Sequence, residues 1–85
     1  MKHTEPVDYT ERQLDVLGTY LKCLTYEKAS EELGIMPETY RAHLRLIFKQ
    51  THNHCARQLV VYLFANGFWV NESLTEVWYK GRLIG

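Results

Sequence analysis

The sequence predicts an all-α fold of four helices with a helix-turn-helix at its centre, followed by a short C-terminal extension. Apolar residues recur every three or four positions, which is the spacing of a helix face. Cap-type residues precede the first two of these patterns, a proline opens the third, and a short glycine-containing turn joins the second pattern to the third. We therefore divide the 85 residues into an N-terminal arm (1–9), a helix-turn-helix domain (10–69) and an extension (70–85).

Composition excludes several classes of protein. The chain is 46% hydrophobic and 13% aromatic, which is enough to build a core and argues against disorder. Its longest apolar run, 59–65, is far shorter than the roughly 20 residues of a membrane-spanning helix. The N-terminus carries no apolar signal core. We therefore expect a cytoplasmic protein without a membrane partner, in which Cys23 and Cys55 stay reduced.

The first helix is delimited by a capping box and a leucine stripe. Thr10 can accept a hydrogen bond from the amide of Gln13, whose side chain can reach back to the amide of Thr10. Leucines then follow at helical spacing, which predicts a helix over 11–22. The stripe consists of Leu14, Leu17, Leu21 and Leu24.

The second and third helices should form the helix-turn-helix. Thr25 is a good N-cap for a short helix over 26–33, and Gly34 can adopt the positive φ that ends it. Pro37 pre-sets the backbone at the first position of a third helix over 37–50. The core face of this helix carries Tyr40, Leu44, Ile47, Phe48 and Thr51. The opposite face carries Thr39, Arg41, Ala42, Arg45 and Lys49.

The fourth helix, expected over 55–66, is apolar nearly all round. The residues that should face the core are Leu59, Tyr62 and Leu63. A helix of this kind requires burial on a second side, and in so small a protein a partner chain can supply it. We therefore expect a homodimer whose interface contains Val60, Val61 and Phe64.

The extension differs from the helical part because β-branched and aromatic residues dominate it. Lys80 and Gly81 can form a tight turn between two short strands, although a short helix over 72–80 fits the pattern almost as well. Aromatic residues are strong anchors of interfaces, so the tail is a candidate surface for a protein partner. We expect the core to be covered by Phe68 and Trp69, and either core or interface to contain Trp78 and Tyr79.

Charge is balanced overall but uneven along the chain. Residues 1–38 carry four basic and eight acidic side chains, a net charge of −4, whereas residues 39–57 carry four basic side chains and no acid, a net charge of +4. The basic stretch also contains His43, His52 and His54. Binding to a nucleic-acid groove requires a local basic patch, and the chain has one despite its zero net charge.

Together these features predict a protein that binds double-stranded DNA by placing its third helix in the major groove. The candidate base-reading residues are Arg41, Ala42 and Arg45. Arginine can donate two hydrogen bonds to guanine, and alanine can contact the methyl group of thymine. Phosphate contacts should come from the edges of the same face. The candidates for these contacts are Thr25, Thr39, His43 and Lys49.

Three segments carry a family resemblance: 10–17 (TERQLDVL), 33–44 (LGIMPETYRAHL) and 66–68 (NGF). They are similar to the opening segment, the turn with its recognition helix, and the closing segment of the LuxR/GerE-type helix-turn-helix domain. The likeness extends over 9–69. It implies a four-helix domain that regulates transcription and dimerises through its fourth helix. The base-reading positions that it implies are Arg41, Ala42 and Arg45.

Several positions differ from the family pattern, and two of them bear directly on DNA binding. Met36 stands where the family has Ser or Thr, so the third helix lacks a side-chain N-cap, which costs about 1 kcal/mol. Glu27 stands where a phosphate-facing Lys is common, which weakens contact with DNA at that edge. These differences favour an alternative function: a protein-interaction module that binds another regulator or the transcription machinery through the fourth helix and the tail. The promoter-recognition region of sigma factors shares the fold, but none of its motifs is recognisable in the sequence.

Chemistry beyond binding is not expected. The sequence contains no glycine-rich phosphate loop and no nucleophile elbow, so we expect neither enzymatic activity nor a cofactor. His52, His54 and Cys55 cluster in the sequence, but a structural zinc site needs four ligands at recognisable spacing. Only Cys23 or His43 could complete such a site, and we expect no metal.

Overall fold

The structure, a computed structural model, describes residues 8–23 and 25–85. Four helices are followed by a small sheet, and the four predicted helices are confirmed with bounds that differ by at most one residue. The expected arm, 1–9, lies largely outside the described residues, as does Leu24 of the leucine stripe. The elements are α1 (Glu11–Lys22), α2 (Tyr26–Leu33), α3 (Pro37–Thr51), α4 (Ala56–Ala65), β1 (Phe68–Val70), β2 (Val77–Tyr79) and β3 (Arg82–Leu83).

Local hydrogen bonds explain where α1 and α2 begin and end. Thr10 Oγ1 accepts from the amide of Gln13 at 3.1 Å, and the amide of Thr10 donates to Gln13 Oε1 at 3.0 Å, so the predicted capping box is present. Thr25 Oγ1 accepts from the amide of Lys28 at 3.1 Å. Gly34 ends α2 with a φ of 71°, in the left-handed region that glycine enters without a Cβ clash.

The core lies where the apolar faces of the four helices meet the sheet. Tyr40 of α3 is fully buried within it, and its hydroxyl donates to the carbonyl of Val16 at 3.0 Å and lies 2.9 Å from Thr19 Oγ1. A buried phenol needs such partners, because an unpaired polar group in the interior is costly. The buried apolar residues are Leu14, Val16, Leu17, Ala29, Tyr40, Leu44, Ile47, Leu59, Leu63, Phe68 and Val77.

Residues 68–83 contain a three-stranded antiparallel sheet in the order β1-β2-β3, which includes most of the extension and the two residues before it. The predicted turn at Lys80 and Gly81 joins β2 to β3, and both residues have positive φ, 51° and 82°. The alternative of a helix over 72–80 is wrong, because the backbone of β2 pairs with strands on both sides. Strand β1 was not predicted, and the boundary drawn between residues 69 and 70 falls inside it.

The sheet packs against the helices rather than standing apart from them. The rings of Phe68 and Tyr79 stack with centroids 4.3 Å apart, and Tyr9 meets the edge of this pair. Gly18 of α1 allows the chain after β3 to approach closely, since a Cβ at this position would stand 2.9 Å from the carbonyl oxygen of Ile84. These contacts make the sheet part of the same core.

Candidate nucleic-acid interface

Helix α3 presents a polar, basic face to solvent. Tyr40, Leu44 and Ile47 are buried on one side of the helix, and that burial turns the other side outward. The three predicted base-reading residues, Arg41, Ala42 and Arg45, are all exposed. Of the predicted phosphate contacts on this helix, Thr39 and Lys49 are exposed and His43 is half-buried.

A groove of about 600 Å³ runs along this face. It brings together three of the predicted residues, Arg41, Arg45 and Lys49. The other predicted residues of α3 do not line the groove, nor does Thr25. Its walls are completed by residues that sequence reasoning did not single out as DNA contacts: Tyr26, Leu44, Phe48, His52, Asn53 and His54.

The N-terminal end of α2 lies at the rim of the groove. Tyr26, the first residue of the helix, lines the groove. Its ring packs beside that of Tyr40 at a tilted angle, with ring centroids 6.2 Å apart. Its neighbour Thr25 is exposed, and its hydroxyl oxygen accepts from the amide of Lys28. That oxygen still carries its own hydrogen, so Thr25 can donate to an anion while it caps the helix.

The electrostatics of the groove favour an anion. No acidic residue occurs between positions 39 and 71 of the sequence. Within the described part of the chain, the ion pair found joins Arg82 to Glu11, the first residue of α1, at 2.6 Å, and neither residue lines the groove. The arginine lowers the pKa of that exposed carboxyl. The arginines of α3 are therefore not neutralised by a carboxylate among the described residues, and their guanidinium groups can bind phosphate or a guanine edge.

Helix α4 carries a second exposed surface, which is apolar. Leu59 and Leu63 are buried as predicted and Tyr62 is half-buried. On the other side, Val61 is 63% exposed and Phe64 is 50% exposed, while Val60 is half-buried. The residues predicted for a dimer interface are thus at or near the surface of this chain.

The aromatic residues of β1 and β2 lie on both faces of the sheet. Phe68 is buried, as expected, and Tyr79 packs beside it. Trp69 is 56% exposed, so its expected position over the core is wrong. Successive residues of a strand point to opposite faces, and the burial of Phe68 therefore turns Trp69 outward. Trp78 pairs with Trp69 across the sheet and is half-buried.

The cysteines, histidines and acidic residues do not gather into a metal site in the described part of the chain. Among the described residues, no group of three or more His, Cys, Asp or Glu side chains is placed to hold a metal ion. Both cysteines are free thiols, and burial raises the pKa of Cys23. Over the same residues, every helix is too short or too polar to cross a bilayer.

Comparison with known protein families, proteins and structures identifies no relative of this chain. No protein-family model, no curated protein and no solved structure matches this chain. The resemblance to LuxR/GerE-type domains therefore stays a prediction from the motifs.

Proposed function

We propose that this protein is a sequence-specific regulator of transcription that binds double-stranded DNA as a homodimer and inserts α3 into the major groove. The observation that carries the proposal is the exposed basic face of α3, a helix that a short turn containing Gly34 joins to α2. A major groove admits one helix with its side chains. The motifs shared with LuxR/GerE-type domains support the same function.

Each residue of the face has a role in this proposal. Arg41 and Arg45 lie four positions apart on the helix and donate to guanine edges, while Ala42 contacts a thymine methyl group. The phosphates on either side are contacted by the remaining candidates, which fix the register of α3 in the groove. These candidates are Thr25, Thr39, His43 and Lys49.

In this proposal the exposed face of α4 forms the dimer interface. Burial of Val61 and Phe64 against a second copy removes apolar surface from water. A twofold dimer then places its two recognition helices about 34–36 Å apart, one turn of DNA, and binds a palindromic site.

A second candidate function is a protein-interaction module that keeps this fold without strong DNA binding. The observation that favours it is the apolar exposure of Val61, Phe64 and Trp69, together with a net charge of zero. In that case the partner is another regulator or the transcription machinery, contacted through α4 and the sheet.

Replacement of Arg45 tests the proposal directly. Arg45→Ala should weaken binding to the preferred duplex by about fivefold or more, because one bidentate contact to guanine contributes about 1–3 kcal/mol. Thermal unfolding should change little, because the side chain is exposed. The matched control is Arg12→Ala, an exposed arginine of α1 that does not line the groove. Equal affinities of the two variants for the preferred duplex would contradict the assignment of the groove face.

A further inference from the structure

Helix α3 carries an exposed leucine within its basic face. Leu46 is 55% exposed, although Leu44 and Ile47 on the same helix are buried in the core. The burial of these two residues fixes how α3 is turned about its axis, and Leu46 therefore points away from the core. Sequence reasoning did not single out this leucine as a DNA contact.

Leu46 shares its side of the helix with residues that are proposed to contact DNA. Four exposed side chains of α3 recur at positions i, i+3, i+4 and i+7, which is the spacing of one helix face. They are Ala42, Arg45, Leu46 and Lys49. Leu46 lies one turn after Ala42, about 6 Å along the helix axis at about 1.5 Å per residue. A duplex that fits against Ala42 and Arg45 therefore lies within reach of Leu46.

The charges beside Leu46 favour DNA over an apolar protein surface as its partner. Arg45 precedes it directly and Lys49 follows one turn later, and both are exposed. An apolar protein surface would remove water from these two cations without supplying an opposite charge, which is costly. The major groove of DNA offers phosphates to the cations and, at each thymine, a methyl group to an apolar side chain. A thymine methyl group therefore suits a leucine that stands between cations.

We propose that Leu46 is a specificity-determining residue of the DNA site and that it contacts the C5 methyl group of a thymine in the major groove. The inference rests on the proposed function, because it requires α3 to lie in that groove. It adds a thymine to the one contacted by Ala42. The two methyl groups lie about 6 Å apart along α3, which corresponds to one or two base pairs at about 3.4 Å per pair.

The test removes the methyl group from the DNA and the leucine from the protein, separately and together. The probe is the duplex selected from a random-sequence library, with one thymine position at a time replaced by deoxyuridine in both half-sites. Deoxyuridine differs from thymidine only by the missing C5 methyl group. The protein variant is Leu46→Ala, which keeps a strong helix former in α3. The matched control is Leu83→Ala, which removes the same atoms from a leucine that is 50% exposed on β3.

At one thymine position, deoxyuridine should weaken binding of the unmodified protein about fourfold for each half-site, the effect of one buried methyl-sized group. Leu46→Ala should weaken binding to the thymine duplex by at least as much. At that position it should respond to deoxyuridine less than about twofold for each half-site, because the methyl group has already lost its partner. Leu46→Met should keep the full response, since methionine is apolar and of similar volume. Leu83→Ala should bind both duplexes like the unmodified protein.

Three results would overturn the inference. The first is a preferred duplex whose half-sites contain no thymine, and the second is a response to deoxyuridine that Leu46→Ala leaves unchanged at every position. The third is a Leu46→Ala variant whose mass by light scattering falls from dimer to monomer, which would assign the leucine to a contact between copies. Circular dichroism ensures that every variant compared is folded.

Failure of this inference and failure of the proposed function give different results. An unmodified protein that retains no duplex contradicts the proposed function, and the role of Leu46 with it. A protein that binds its selected duplex tightly, with no thymine position that depends on residue 46, contradicts the role of Leu46 alone.

Discussion

Among single residues, Tyr40 shows most clearly what the interior of this protein requires. The helical spacing placed it on the core face of α3, and it is fully buried. The pattern could not reveal that its hydroxyl donates to Val16 and meets Thr19, because those partners depend on how α1 crosses α3. Burial raises the pKa of Tyr40 to about 12, and the hydrogen bond with Thr19 acts in the opposite direction.

Removal of this hydroxyl should destabilise the fold. We expect Tyr40→Phe to lower the free energy of unfolding by about 1–2 kcal/mol, because one buried hydrogen bond is lost and the Val16 carbonyl loses a donor. Tyr26→Phe is the matched control, since that ring lies beside Tyr40 but is exposed. Urea unfolding near neutral pH measures both variants. Equal midpoints would show that the hydroxyl of Tyr40 contributes nothing to stability.

The same residue makes stability depend on pH in alkaline solution. The folded-state pKa of Tyr40, about 12, lies above its ordinary value of 10.0, so the neutral phenol stabilises the folded state below pH 10. This contribution is lost as the pH rises from about 10 toward 12. We expect the unmodified protein to lose stability over this interval and Tyr40→Phe to lose less. Urea midpoints at several alkaline pH values give the comparison, and parallel curves would contradict the assignment.

At the scale of elements, local signals predicted the helices and failed for part of the sheet. The capping box of α1 and the Thr25 cap of α2 lie within a few residues of the helices that they open. Strand β1 has no such signal, because its pairing of Phe68 with Tyr79 depends on a contact across an intervening loop. The same pairing turns Trp69 outward, which is why its exposure could not be predicted from composition.

Helix α3 begins without a side-chain cap, and this can be repaired. Met36 is the N-cap residue, its backbone is extended, and its side chain is 65% exposed. Met36→Ser should raise the free energy of unfolding by about 0.5–1 kcal/mol, because the hydroxyl can accept from an amide in the first turn. Met36→Ala is the control that removes the methionine without supplying a cap. Thermal unfolding should rank the serine variant above both the alanine variant and the unmodified protein, and any other order contradicts the explanation.

At the scale of the whole molecule, the structure has two distinct surfaces: a basic one on α3 and an apolar one on α4. The basic stretch of the sequence predicted the first surface, including Arg41, Arg45 and Lys49, which line one groove. The contributions of Tyr26 and His54 to that groove were missed, because they reach it from other elements. The net charge of zero gives no sign of the basic surface, because the acidic residues that balance it are concentrated in the first half of the chain.

The apolar surface on α4 should determine the oligomeric state. Val61→Glu places a charge in the proposed interface and should shift the mass measured by light scattering from dimer to monomer. Leu83→Glu is the control, because this leucine is 50% exposed on the sheet, and its replacement should leave the mass unchanged. A Val61→Glu variant with the mass of the unmodified protein would place the interface elsewhere or exclude a dimer.

The most direct test of the central claim is selection of duplexes from a random-sequence library by the purified protein at about 50 and 200 mM salt, followed by affinity measurement on the selected duplex. The account predicts enrichment of one palindromic motif with half-sites about one turn of DNA apart. It also predicts that affinity falls by about a hundredfold between the two salt concentrations if about four phosphates are contacted. If no duplex is retained at either concentration, the basic face of α3 does not bind DNA, and the surface on α4 and the sheet becomes the functional one.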